Sequence, residues 1–215
     1  MQKLRILIAD DHEVVRRGLR HILEEAGWQV VGEATNGRLA VEKVEELHPD
    51  VVVLDFTMPE LNGLTAAREI LKSHPKTEIV LLTMHDSEQV IREVLATGVR
   101  GYVLKSDAGR DLVSAVQAVV QHKPFLTPHV AELVLEGYLQ SGARPVKYET
   151  THLTTRELEI IQLVAEGKTN KEVASLLHIS TKTAEAHRVN INRKLGLHSV
   201  SDLVHYAIRN GIVAP

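Results

Sequence analysis

Five polar side chains in the first half of the chain stand at the ends of short apolar runs, where they could do chemistry together. The carboxylates Asp10 and Asp11 follow the first run, and Asp55 ends a later one. The hydroxyl of Thr83 and the ammonium of Lys105 end two others. Oxygen ligands of this kind suit Mg²⁺, which takes one or two carboxylates and keeps water or phosphate oxygens in its other positions. With the metal offsetting its charge, Asp55 could attack a phosphoryl group as a nucleophile.

The apolar runs and the amphipathic stretches between them predict the elements that position these groups. Strands are predicted over residues 4–10, 29–34, 51–55, 78–83 and 101–104. Helices are predicted over residues 13–25, 37–47, 64–73, 87–97 and 108–121. Alternating units of this kind form a parallel sheet with helices on both faces, and ligands bind beyond the carboxyl ends of its strands. We therefore predict a five-stranded, doubly wound, flavodoxin-like α/β domain over residues 1–121.

Three alternatives compete with a phosphoryl-accepting site. A single acid at a strand end more often caps a sheet, but five polar groups in register with strand ends favour a functional site. A dinucleotide-binding domain requires glycines in its first turn, whereas this turn is Asp10-Asp11-His12 and would repel a pyrophosphate. An aspartyl phosphatase of the haloacid dehalogenase type has a second acid two residues after its nucleophile, where this chain has Thr57. We therefore predict that the protein is not an enzyme, apart from slow self-hydrolysis of a phosphate on Asp55.

The motifs resemble the receiver domain of two-component response regulators over roughly residues 4–121. The matching segments are Asp10-Asp11, Asp55-Phe56-Thr57-Met58-Pro59 with Gly63, Thr83, and Gly101-Tyr102-Val103-Leu104-Lys105. The resemblance implies that a sensor histidine kinase or a small acyl phosphate phosphorylates Asp55.

The same resemblance implies roles for the other residues of the set. Mg²⁺ is expected at Asp10, Asp11, Asp55 and the backbone carbonyl of Thr57. Thr83 and Tyr102 are expected to move on phosphorylation. Lys105 is expected to pair with the phosphoryl group.

The alternation of strands and helices stops at residue 122. The segment from His122 to Pro128 contains two prolines, and after it Val130, Leu133, Val134 and Tyr138 recur at helical spacing. A glycine, a proline and polar residues then lead to Thr151. We predict a linker over residues 122–150 that carries one helix.

Residues 151–215 show no strand pattern and predict a small all-α domain of four short helices. Thr154 followed by Glu157 is the signature of a capping box at the start of the first helix. The stretches 169–177 and 180–195 predict a helix-turn-helix whose second member can enter a major groove. A solvated face of a small helical bundle is the alternative interpretation of this second helix.

Candidate DNA contacts lie on the two helices of this predicted helix-turn-helix. Lys and Arg side chains can contact phosphates, and Asn or Arg can contact base edges. The candidates are Thr169, Asn170, Lys171, Ser180, Thr181, Lys182, Thr183, Glu185, Ala186, His187, Arg188, Val189, Asn190, Arg193 and Lys194.

The spacing in this region is similar to that of the LuxR-type DNA-binding domain over nearly all of residues 150–212. The matching segments are Leu153-Thr154-Thr155-Arg156-Glu157, Gly167 to Ala174, Ile179-Ser180, Thr183, His187, Asn190-Ile191 and Lys194-Leu195-Gly196. The two domains together resemble the NarL/FixJ family of response regulators. The chain departs from the family pattern at Ala184 and Glu185, where an apolar β-branched residue and often a lysine are usual. Glu185 removes a positive charge, although a carboxylate can accept a hydrogen bond from cytosine N4.

The distribution of charge separates the two domains. The whole chain has a formal charge of −3, but residues 1–122 have 14 Lys and Arg against 19 Asp and Glu, and residues 151–215 have 8 against 6. An excess of two positive charges predicts weak DNA binding by one copy, so we expect a homodimer on paired half-sites. The chain has no cysteine, which fits a reducing cytoplasm, and its apolar runs are strand-sized, so we expect no membrane association.

These observations predict a transcription regulator that is controlled by phosphorylation of Asp55. The expected partners are double-stranded DNA, a cognate sensor histidine kinase and a second copy of the chain. The alternative is a receiver-based module that acts through protein contacts, with DNA binding weakened by Glu185.

Overall fold

The computed structural model describes residues 3–84, 91, 94–127, 130–132 and 153–213, which contain an α/β domain followed by a helical domain. The strands are β1 Arg5–Ala9, β2 Gln29–Ala34, β3 Val51–Asp55, β4 Glu78–Thr83, β5 Gly101–Leu104 and β6 Phe125–Leu126. The helices of the first domain are α1 Glu13–Glu25, α2 Gly37–Leu47, α3 Gly63–Ser73 and α4 Ala108–Val120. Those of the second domain are α5 Thr155–Ala165, α6 Asn170–Leu176, α7 Thr181–Leu195 and α8 Val200–Arg209.

The six strands form one parallel sheet in the order β2-β1-β3-β4-β5-β6. Every residue of β3 is buried, because this strand is central and helices cover both faces. Val52 and Leu54 belong to the core on one face, whereas Val51 and Val53 belong to the core on the other. The alternating side chains of β3 thus join both layers of the domain.

The prediction of five strands was wrong, because β6 adds a sixth at the edge beside β5. The backbone N–H of Phe125 donates to the carbonyl of Arg100 at 2.8 Å. Phe125 packs against one face of the sheet and Leu126 against the other. Two residues are too few to show a period in the sequence, and the preceding Pro124 predicts only an interruption. The sheet therefore extends into the segment that we predicted to be a linker.

The described helices of the first domain agree with the predicted ones to within one residue at either end. Gly27 and Gly98 adopt φ values of +83° and +88° beyond helix ends, where a left-handed residue ends a helix. Of the predicted helix 87–97, only residues 91 and 94–96 are described as helical. Of the helix predicted from Val130 onwards, residues 130–132 are helical, and the rest of the linker lies outside the described residues.

The helical domain has its own core and well-defined helix starts. Capping boxes join Thr154 to Glu157 at α5, as predicted, and Thr169 to Glu172 at α6. A third box, at α8, joins Ser199 to Asp202. In α7, Ala184 and Ile191 are buried in the same core cluster as Ile161 of α5. Among the described helices, none has a stretch long and apolar enough to cross a membrane.

Candidate phosphoacceptor site and DNA interface

The carboxyl ends of the central strands bring the predicted phosphoacceptor residues together. Asp55 ends β3 and Asp10 follows β1, and the two strands are neighbours. Asp10 is fully buried and Asp55 is 2% exposed. The Nζ atom of Lys105, just after β5, lies 2.7 Å from an Oδ2 of each carboxylate. Two buried acids thus share one ammonium group at this edge of the sheet.

The electrostatics of this group raise the pKa of Asp55 to about 6. Burial is the largest cause, and the neighbouring charge of Asp10 adds to it, whereas Lys105 and the backbone N–H of Thr57 oppose it. Burial also disfavours the ammonium form of Lys105, but its ion pairs with Asp55 and Asp10 outweigh this effect and raise its pKa. At neutral pH, Asp55 is therefore mostly an ionised carboxylate beside a charged lysine.

The carboxylates also fit a hard metal ion. Ligand atoms of Asp10, Asp11, His12 and Asp55 lie within 4.8 Å of one another. The backbone N–H of His12 donates to Asp10 Oδ1 at 2.8 Å, and its Nδ1 lies 2.8 Å from Asp11 Oδ1. The predicted metal ligands did not include His12. Its position directly after two acids is the signal in the sequence that could have identified it as part of this cluster. Three carboxylates at this spacing suit Mg²⁺, for which an imidazole is a poor ligand.

The other predicted residues of the site lie just after β3 or within β4 and β5. The backbone N–H of Thr57 donates to Asp55 Oδ1 at 3.4 Å, and Thr57 lines the same cavity as Asp55 and Lys105. Thr83 is fully buried at the end of β4, next to β3 in the sheet. Tyr102 is also buried, within β5 and among the residues of one core cluster. The structure thus brings Asp11, Asp55, Thr57 and Lys105 to one cavity, with Asp10 buried beside Lys105.

A close approach between α3 and β3 helps to fix the position of Asp55. A Cβ atom at Gly63 would lie 1.9 Å from the carbonyl oxygen of Asp55, so only glycine fits there. The backbone N–H of Gly63 donates to the carbonyl of Phe56 at 2.8 Å. The N-terminus of α3 therefore holds the backbone that carries the phosphoacceptor.

The helical domain contacts the loop between β3 and α3. Gln162, fully buried in α5, donates from Nε2 to the carbonyl of Met58 and accepts at Oε1 from the N–H of Asn62, both at 2.7 Å. Glu166 Oε1 accepts from the N–H of Glu60 at 3.2 Å. The loop held by these bonds begins directly after Asp55. Sequence reasoning missed Gln162, because its only signal is a polar residue within the apolar face of a helix.

The same contact covers the phosphoacceptor cavity. The cavity has a volume of about 530 Å³, and Ala165, Glu166 and Val213 of the helical domain form part of its wall. The Oγ1 of Thr57 donates to the carbonyl of Gly211 at 3.4 Å. A group added to Asp55 would thus enter a space bordered by both domains.

The predicted DNA-binding residues divide into two sets in the structure. Some hydroxyls cap helices: Thr169 accepts from the N–H of Glu172, and Ser180 accepts from that of Thr183. Arg188 donates to Asn170 Oδ1 at 2.5 Å. Lys194 Nζ lies 2.7 Å from the carboxylate oxygens of Glu157 in α5. Other side chains of α7 are exposed: Thr181, Lys182, Thr183, Glu185, Ala186, Val189 and Arg193. The exposed set leaves one face of α7 open to a partner.

Comparisons with known proteins agree with both parts of this geometry. Residues 6–117 match the family described as "Response regulator receiver domain", and residues 151–207 match "Bacterial regulatory proteins, luxR family". The chain is 37% identical over 215 residues to the oxygen regulatory protein NreC of Staphylococcus carnosus, covering 98% of this chain and 99% of that protein. It is 34% identical to the transcriptional regulatory protein DegU of Brevibacillus brevis, covering 98% and 95%.

Solved structures give the same result. RcsB from Salmonella enterica serovar Typhimurium, bound to the promoter rprA in the presence of the phosphomimetic BeF3−, aligns with a TM-score of 0.66 at 31% identity, over 95% of this chain and 98% of that one. A further RcsB–DNA complex aligns with a TM-score of 0.59 at 29% identity, over 97% and 99%. The receiver-type acidic site, the helix-turn-helix and these matches together show that the chain belongs to the NarL/FixJ family of response regulators, DNA-binding regulators of transcription in two-component systems.

Proposed function

We propose that Asp55 is the phosphoacceptor and that a sensor histidine kinase supplies the phosphoryl group. The observation that carries this proposal is the buried carboxylate of Asp55, 2.7 Å from the ammonium of Lys105 and beside Asp10. A carboxylate oxygen of Asp55 attacks phosphorus, and the bond from phosphorus to the donor's imidazole nitrogen breaks as the imidazole leaves. Asp55 then carries an acyl phosphate, whose added charge Lys105 is placed to neutralise.

A magnesium ion at this site would be held by Asp10, Asp11, Asp55 and the backbone carbonyl of Thr57. When bound, Mg²⁺ offsets negative charge on the carboxylates and the transferring oxygens. Lys105 orients Asp55 through their ion pair at 2.7 Å, and the burial of both acids excludes bulk water from the attacking oxygen. Beyond slow hydrolysis of its own acyl phosphate, we propose no turnover by this site.

Phosphorylation is coupled to the helical domain through the cavity that both domains border. A phosphoryl group on Asp55 adds negative charge to a cavity whose wall includes the carboxylate of Glu166. It also enters beside Thr57, which contacts the carbonyl of Gly211. Both effects favour separation of the domains, which leaves the helical domain free to pair with a second copy.

We propose that the regulator binds double-stranded DNA as a homodimer, in the cytoplasm where its DNA lies. The helical domain has only two positive charges in excess, so a dimer on paired half-sites roughly doubles the phosphate contacts that one copy could make. We take residues 1–121 as the phosphoacceptor domain, 122–150 as the connector and 151–215 as the DNA-binding domain.

A mobility-shift assay on fragmented genomic DNA, with and without acetyl phosphate and Mg²⁺, tests this function. We expect phosphorylation to tighten binding in the wild type but not in Asp55→Asn. Asp111→Asn, at an acid of α4 that is ion-paired to Arg110, serves as the matched control and should respond like the wild type. No shift on any fragment at low salt would contradict DNA binding and favour the protein-interaction alternative.

A further inference from the structure

The face of α7 that is open to a partner has an unusual composition at its centre. Its exposed side chains follow helical spacing and form a stripe of Lys182, Glu185, Ala186, Val189 and Arg193. Val189 is 66% exposed, although it is apolar. The centre of the stripe is therefore a carboxylate with two small apolar side chains, and its cations are at the two ends.

Other cations of α7 are engaged elsewhere in the same domain. Arg188 donates to Asn170 of the preceding helix, and Lys194 forms an ion pair with Glu157. Both partners hold these side chains away from the centre of the stripe. Hydrogen bonds from a guanidinium or ammonium group to guanine are the commonest specific contact in a major groove. Among the described residues, none supplies such a donor at the centre of the stripe.

We infer that the centre of this stripe determines sequence preference, with Glu185 reading cytosine and Val189 and Ala186 reading thymine methyl groups. This inference rests on the proposed DNA binding by α7. An ionised carboxylate can only accept hydrogen bonds. In the major groove, guanine presents two acceptors and thymine one, and adenine presents an acceptor beside its single donor, whereas cytosine presents the N4 donor alone. Glu185 therefore favours cytosine and disfavours guanine most strongly.

The spacing of these side chains also limits where the two kinds of base can lie. Val189 is four residues beyond Glu185, a rise of about 6 Å, or about 1.8 base-pair steps if the axis follows the groove. Ala186 adjoins Glu185 on the side towards Val189. The preferred half-site thus contains a cytosine with a thymine one or two base pairs away.

Selection from a randomised duplex library tests this preference, with the full-length chain in the presence of acetyl phosphate and Mg²⁺. The wild type should select cytosine at one position of each half-site, by about tenfold over guanine. Glu185→Gln should move that position towards adenine, because an amide can both donate to N7 and accept from N6. Val189→Ala should weaken selection of the neighbouring thymine and leave the cytosine unchanged.

Arg193→Gln is the matched control, because it alters an exposed side chain at the end of the same stripe. It should weaken binding to all sequences without changing the preferred bases. A wild-type site without cytosine, or an unchanged preference in Glu185→Gln, would overturn the inference while DNA binding itself stands. Failure of the wild type to bind any duplex would instead refute the proposed function.

Discussion

At the scale of single residues, the acidic site combines two buried carboxylates with one lysine. The ionisation of these groups makes the stability of the folded protein depend on pH. Asp55 has a pKa of about 6, against an ordinary value of 3.8, chiefly because it is buried. The folded state therefore binds this proton more tightly than the unfolded state. Above pH 6, ionised Asp55 therefore lowers the free energy of unfolding. This free energy rises again as the pH falls from 6 to 4, because Asp55 takes up its proton in the folded state.

Asp55→Asn should consequently stabilise the metal-free protein at pH 7.5, by about 1–2 kcal/mol, since the amide needs no ionisation. The gain should shrink towards pH 5, where wild-type Asp55 is mostly protonated. Urea unfolding of both proteins in EDTA, at several pH values between 5 and 8, measures the difference. A difference that stays constant across this range would contradict the assigned pKa.

Lys105 supplies the positive charge that the two acids share. Lys105→Ala should destabilise the metal-free protein by about 3 kcal/mol, because it leaves two buried carboxylates without their partner. Mg²⁺ can take over part of this role, so it should raise the melting temperature of Lys105→Ala more than that of the wild type. Thermal unfolding with EDTA and with Mg²⁺ checks this, and an equal response in both proteins would argue against a metal at these carboxylates.

At the scale of elements, the contact between α3 and β3 depends on a single glycine. Gly63→Ala should lower the free energy of unfolding by about 1–3 kcal/mol, because its Cβ would overlap the carbonyl oxygen of Asp55. The same change should slow phosphorylation by acetyl phosphate, since the phosphoacceptor moves with that backbone.

Gly109→Ala in α4 provides the control for this substitution. Apart from the adjacent residues and the backbone of the helix itself, no heavy atom lies within 4 Å of a Cβ placed there. Alanine is the better helix former, so stability should be unchanged or higher. Denaturant unfolding and phosphorylation rates are measured on both variants. The comparison separates the effect of the steric overlap at Gly63 from the effect of alanine on helix propensity. Equal effects at the two positions would exclude the steric explanation.

At the scale of the whole molecule, polar contacts join the two domains, and among the described residues no hydrophobic cluster spans both. Gln162 makes two of the buried contacts, to Met58 and Asn62. A further contact is unfavourable when both groups are ionised: Glu69 of α3 meets Glu159 of α5, and burial together with this neighbour raises the pKa of Glu69. A docked state of this kind is easily shifted by a new charge.

Gln162→Ala should therefore loosen the docking without unfolding either domain. The buried N–H of Asn62 and carbonyl of Met58 would lose their partner, which disfavours docking by about 1–3 kcal/mol. We expect a larger radius of gyration in solution scattering and tighter DNA binding without acetyl phosphate. Gln121→Ala, at the exposed end of α4, should leave both unchanged. A compact Gln162→Ala with wild-type DNA binding would contradict a regulatory role for this contact.

The sequence alone predicted most of the elements and the acidic site. Apolar runs and helical spacing are local properties, and each strand that carries a site residue was predicted from them to within one residue at either end. Asp10, Asp55 and Lys105 could be placed together because parallel strands end at the same edge of a sheet. Local patterns could not predict β6, which two residues form only because the exposed edge of β5 offers hydrogen-bond partners.

Only the tertiary structure decided which residues of distant segments meet. Gln162 and Met58 are separated by 104 positions, and no periodicity relates them, so their contact arises from the packing of one domain against the other. The same is true of α7. The sequence supplied a helix with many polar residues, but the intradomain bonds of Arg188 and Lys194 decided that Glu185 and Val189 form the open centre of its exposed face.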